Sequence, residues 1–111
     1  MKLPNGARAQ LGQKLEKYSL NMDHSRGRDE AILFNKRLGI TLENREILEA
    51  ALLQAAIEDE AILRQANDYG SHYNVRFSMQ TETENSIVLS GWIIRPNEDF
   101  PRLTNTYPVN K

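Results

Sequence analysis

Two stretches decide the fold: Ser71-His72-Tyr73-Asn74-Val75-Arg76-Phe77-Ser78-Met79-Gln80 and Ile87-Val88-Leu89-Ser90-Gly91-Trp92-Ile93-Ile94-Arg95. In the first, Tyr73, Val75, Phe77 and Met79 alternate with His72, Asn74, Arg76, Ser78 and Gln80. Side chains on a strand alternate between its faces, so this period of two predicts a strand with one apolar and one polar face. The second stretch is the most apolar of the chain and reads as the central strand. Residues 82–85 between them are a polar hairpin connection, and Pro96-Asn97-Glu98-Asp99 is a second turn. Residues 102–107 read as a last strand, which Pro108 ends.

Upstream of Gly70 the period is helical. Residues 7–11 read as a short strand or an extended lead-in, and residues 13–20 as a short helix with Leu15 and Tyr18 on its apolar side. Residues 28–38 form a second helix, because Ala31, Phe34 and Leu38 recur at three and four residues, and Gly39 stops it. Thr41 is an N-cap for a third helix, whose stripe is Leu48, Ala51, Leu52 and Ala55. Ile62 and Leu63 pin a further turn before Asn67-Asp68-Tyr69-Gly70 breaks it. Helices followed by strands in series is an α+β order. The expected architecture is N-terminal helices packed on a C-terminal antiparallel meander of about three to four strands. It forms a single domain over residues 1–111, with about 7–66 mainly helical and 70–108 the sheet.

With 111 residues, 40% of them apolar and 26% charged, the chain has an ordinary globular composition. No apolar run reaches the roughly 18 residues of a membrane span, and the N-terminus has no signal-peptide core. Cysteine is absent, which excludes disulfide and thiolate chemistry and fits a cytoplasmic home. His24 and His72 are the only histidines and no ligand cluster has metal spacing, so neither metal nor cofactor is expected. The net charge of −1 conceals a division: residues 1–37 carry +4, residues 38–68 carry −5, and residues 69–111 are neutral. A basic first third suits a polyanion, although the whole-domain basicity usual for nucleic-acid binding is absent.

The loop His24-Ser25-Arg26-Gly27-Arg28 places a titratable imidazole and two guanidinium groups at a helix start, where an anion is favoured. Cleaving RNA without a metal needs an acid/base for the 2′-hydroxyl and leaving oxygen, and a cation for the charge on phosphorus. His24 with Arg26 and Arg28 offers these; the plainer alternative is a loop histidine that caps or packs beside two solvated arginines. The polar faces of the strands offer a second set: His72, Asn74 and Arg76 on one strand, and Arg102, Thr104 and Thr106 on the last, if those faces coincide. Trp92 and Tyr107 have rings that stack on bases, although Trp92, in so apolar a strand, is better placed in the core.

The chain resembles the bacterial family filed as domain of unknown function 6883. The resemblance runs in order through Lys2-Leu3-Pro4-Asn5-Gly6, Leu15 to Asn21, His24-Ser25-Arg26-Gly27-Arg28 with Ala31 and Phe34, Leu38-Gly39-Ile40-Thr41, Asp68-Tyr69-Gly70, and Trp92-Ile93-Ile94-Arg95 through Phe100-Pro101-Arg102-Leu103 to Tyr107-Pro108. The architecture this implies is similar to small RNase toxin domains of the barnase/EndoU/colicin/RelE-like group. By that resemblance His24, Arg28, Thr104 and Tyr107 are the catalytic candidates, with Arg26, His72, Arg76 and Arg102 as substrate-binding residues. Glu30 stands where relatives carry lysine, and an acid there repels phosphate.

Two functions follow as expectations. One is a metal-independent endoribonuclease of toxin type acting on RNA, restrained by an inhibitory protein encoded nearby. The other is a non-catalytic interaction module of a small operon or toxin–antitoxin-like pair, docking a protein through the sheet's polar face or an edge strand.

Overall fold

A computed structural model describes residues 1–109. Helical elements come first and a four-stranded antiparallel sheet follows, an α+β arrangement. The helical part comprises a 3-10 turn Gly6–Arg8, a π-helical turn Leu15–Ser19, α1 (Arg28–Leu38), a 3-10 turn Leu42–Asn44 and α2 (Glu46–Glu58). The sheet comprises β1 (Ala61–Asn67), β2 (Gly70–Gln80), β3 (Asn85–Ile94) and β4 (Arg102–Val109), in the order β1-β2-β3-β4. Among the described residues, no helix is long and apolar enough to cross a membrane.

The α1 helix buries Ala31, Phe34 and Leu38, the face its spacing predicts. It stops at Gly39, whose φ of 67° is left-handed, and the Ile40 N–H returns to the Phe34 carbonyl; glycine enters that conformation without a Cβ clash. Thr41 does cap, but its box with Asn44 closes the 3-10 turn and α2 begins only at Glu46.

Residues 61–67 are a strand, whereas the sequence pattern predicts helical character through Leu63 and up to about residue 66. The α2 helix ends at Glu58, and Asp59 turns extended. Glu58, Asp59 and Glu60 crowd negative charge at the negative end of the helix dipole, which disfavours another turn. Pairing with β2 then overrides the helix preference of Leu63, Arg64 and Gln65. Asn67 pairs with Gly70, so the residues that read as a helix stop make a hairpin turn. The extended lead-in at residues 7–11 is instead a 3-10 turn followed by a single parallel bridge from Gln10 to Arg102. The last strand passes through Pro108 to Val109; with β4 at the sheet edge, proline there breaks no ladder.

All helices pack on one face of the sheet. Phe34, Leu38, Leu48 and Leu52 meet Tyr73, Val75, Phe77, Val88 and Trp92 in one cluster, and Trp92 and Phe34 are fully buried. Trp92 donates from Nε1 to Ser90 Oγ at 2.9 Å, and Ser90 Oγ donates to the Val75 carbonyl at 2.8 Å, so the ring is buried with its polar atom satisfied. Among the described residues, no helix covers the opposite face.

Candidate functional site

The His24 loop is tied into its own backbone. The N–H groups of Arg26 and Gly27 each donate to His24 Nδ1 at 3.0 Å, and the ring lies 4.7 Å from that of Tyr18. Nδ1 is therefore an acceptor, and the imidazole supplies the capping that Gly27, at the helix start, has no side chain to give. Gly27 is required by space: a Cβ there would lie 2.0 Å from the Tyr18 carbonyl oxygen. Arg26 and Arg28 are exposed, and no ion pair holds either among the described residues. One carboxylate oxygen of Glu30 is enclosed without a partner, and burial, with Asp29 beside it, pushes its carboxyl above the usual range.

The second set of candidates gathers on the uncovered face of the sheet. Register places His72 opposite Ile93 and Ile93 opposite Arg102. The next row is Asn74, Gly91 and Asn105, and the next Arg76, Leu89 and Tyr107. The strand faces that carry His72, Arg76, Arg102 and Tyr107 thus coincide. Thr106 departs from them. A bulge between Gly91 and Trp92 gives β4 an extra residue, so Thr106 falls opposite Ser90 on the core side, where it is fully buried and donates to the Leu89 carbonyl at 2.8 Å. Thr104 stays on the uncovered side.

At the centre of this face lies a hollow of about 270 Å³ lined by Arg64, Gln65, His72, Asn74, Gly91, Thr104 and Asn105, with parts of Tyr73 and Trp92. At its floor, the absence of a side chain on Gly91 lets Asn105 and Thr104 approach the β3 backbone closely. A Cβ there would lie 2.2 Å from Asn105 Oδ1 and 2.9 Å from Thr104 Oγ1. The Asn74 amide, turned so that both its ends are satisfied, accepts from Arg64 Nη1 at 2.8 Å. Thr104 Oγ1 donates to Asn105 Oδ1 at 3.3 Å. His72 Nε2 is enclosed and has no hydrogen-bond partner among the described residues. The hollow thus unites a guanidinium, an imidazole, the Thr104 hydroxyl and three amides.

None of the strand residues 61–67, 70–80, 85–94 and 102–109 is Asp or Glu, whereas three are arginines: Arg64, Arg76 and Arg102. Arg102 is held from the side by Glu98 through two bonds of 2.9 and 2.8 Å and lies 4.8 Å from the Phe100 ring centre. That pairing lowers the Glu98 carboxyl below its ordinary range. Arg64 and Arg76 have no ion pair among the described residues.

His24, Arg26, Arg28 and Tyr107 line neither this hollow nor the one beside it at the start of β4; His72 and Thr104 line the first together. Sequence reasoning missed Arg64, hidden in a stretch that reads as helix, and Asn105, which alternation would turn to the core. Gly91 did carry a signal, since glycine inside a strand marks a bulge or a close approach. Among the described residues no group of three or more His, Asp or Glu could hold a metal ion. A family model described as a domain of unknown function (DUF6883) matches residues 2–110. No curated protein matches the chain.

Proposed function

The chain belongs to the DUF6883 family of domains of unknown function, and we propose that it binds RNA on the uncovered face of its sheet and cleaves it there without a metal. The observation that carries this reading is the hollow over Gly91, where Arg64, His72 and Thr104 meet on strands that carry no Asp or Glu. Arg64 would brace a phosphodiester through its planar fork. His72 is the one lining group that offers an imidazole, the side chain best suited to general acid–base work. It would accept the proton of the 2′-hydroxyl. The O2′–P bond forms as the P–O5′ bond breaks, and the imidazolium returns its proton to O5′, leaving a 2′,3′-cyclic phosphate and a 5′-hydroxyl. Thr104, Asn74 and Asn105 would orient the phosphate oxygens. His24 is left as a structural acceptor.

The test is incubation of the purified protein with total RNA in EDTA. Cleavage with cyclic-phosphate ends, lost in His72→Ala and kept in His24→Asn, is the expected outcome. No cleavage by the wild type, or loss in His24→Asn alone, refutes the assignment.

A second reading is favoured by a separate observation. Leu53 and Ile57, one turn apart on α2, and Ile62 and Leu63 on the edge strand β1 are 39, 49, 60 and 50% exposed. Exposed aliphatic side chains on a helix and on an edge strand suit a protein partner, such as one encoded nearby. Co-expression with the adjacent gene product tests it: co-elution that Ile57→Asp and Leu63→Asp abolish is expected, and co-elution unaffected by both overturns it.

A further inference from the structure

A second hollow, of about 280 Å³, adjoins the first. It is lined by Lys14, Arg95, Arg102 and Ile93, by the segment from Gln10 to Gln13, and by Thr104, which lines both. Its cations differ in availability. Arg102 is committed to Glu98, while Lys14 and Arg95 are exposed and form no ion pair among the described residues, although Arg95 also contributes to the field at Glu98. From His72 to Arg102 the register crosses two strand spacings, about 9–10 Å. One phosphate group cannot reach both hollows. We propose that the two hollows, joined at Thr104, are consecutive phosphate sites, so that the ligand is a single strand carrying at least two phosphodiesters.

This inference rests on the RNA reading above and adds a length requirement and a direction of travel. The strand runs across the sheet from Arg64 on β1 toward Lys14 and Arg95 beside the start of β4. A single strand suits this face better than a duplex, because its unpaired, flexible backbone can follow two adjoining hollows across the sheet. Thr104 sits between the sites, where its hydroxyl can bond to either phosphate.

The test is fluorescence-anisotropy titration with uncleavable 2′-O-methyl oligonucleotides, a dinucleotide with one phosphodiester and a hexamer. Circular dichroism checks that every variant is folded. The wild type is expected to bind the hexamer at least tenfold more tightly than the dinucleotide. The double variant Lys14→Ala/Arg95→Ala should weaken the hexamer about tenfold and leave the dinucleotide unchanged. It should also flatten the dependence of log K on log salt by about 1.4, the value for two lost contacts to a single strand. Arg64→Ala should weaken both ligands. Hexamer binding that the double variant leaves intact, or equal loss for both ligands, overturns the two-site inference while the RNA reading stands. No binding of either oligonucleotide by the wild type overturns both.

Discussion

At the scale of single residues, the same side-chain type has two uses in this molecule. His24 spends its Nδ1 on two backbone N–H groups, whereas His72 stands in a hollow with one nitrogen unpartnered. A short amide reaches the same donors that the imidazole reaches. His24→Asn should therefore stay near wild-type stability, and His24→Ala should lose about 1 kcal/mol in urea unfolding; equal losses would show that the ring's packing on Tyr18 matters more than its acceptor. Glu30 gives a second prediction, with a sign that depends on pH. Its folded carboxyl is raised, so the folded state holds a proton that the unfolded state has released. Stability from this group is full below the ordinary carboxylate range and falls as pH rises toward the raised value. Glu30→Gln should raise the melting temperature at pH 7 and lose that advantage in acid; thermal melts across pH check it. Glu98 and Asp99 act the other way, since pairing with Arg102 and Arg8 lowers both, and their contribution fades as pH falls.

At the scale of elements, the strand that governs the hollow is β3, through one glycine. Asn105 lies across Gly91, and both atoms that a Cβ would meet are ends of side chains able to rotate away. Gly91→Ala should therefore fold normally, within about 1 kcal/mol of wild type, while closing the hollow and weakening RNA binding about tenfold. Unchanged affinity in a folded Gly91→Ala protein would remove the hollow from the functional account. The elements also mark where sequence reading succeeds. β2 is legible because one face is buried and the other is wet, which writes a period of two into the chain, and β3 because Val88 to Trp92 are all buried, which makes it a continuous apolar run. α1 is legible because Ala31, Phe34 and Leu38 keep helical spacing up to Gly39. β1 is not legible: only Ala61 is buried, so no alternation is imposed on Ile62 through Asn67, and the strand exists through its pairing with β2. That one misreading hides Arg64. The β4 bulge is equally silent, and it is what separates Thr104 from Thr106.

At the scale of the whole molecule, the net charge of −1 misdescribes the surface that a ligand would meet. Acidic residues lie on helices, turns and connections, and the strands carry only arginine as a permanent charge. The division visible along the sequence, +4 in the first third and −5 in the middle, does not coincide with this one, because the sheet draws its cations from β1, β2 and β4. Charges on the two layers should consequently act differently on a polyanion, although each changes the net charge equally. Arg76, exposed on the uncovered face, and Lys36, exposed on the last turn of α1, provide a matched pair. Arg76→Gln removes one cation from the face and should weaken binding of a single-stranded RNA three- to tenfold. Lys36→Gln removes one cation from the opposite layer and should leave affinity within twofold, since at about 0.15 M salt the Debye length of about 8 Å screens a charge held across the thickness of the core. Filter binding at two salt concentrations reads both. Equal weakening by the two substitutions would mean that RNA responds to net charge rather than to the sheet face.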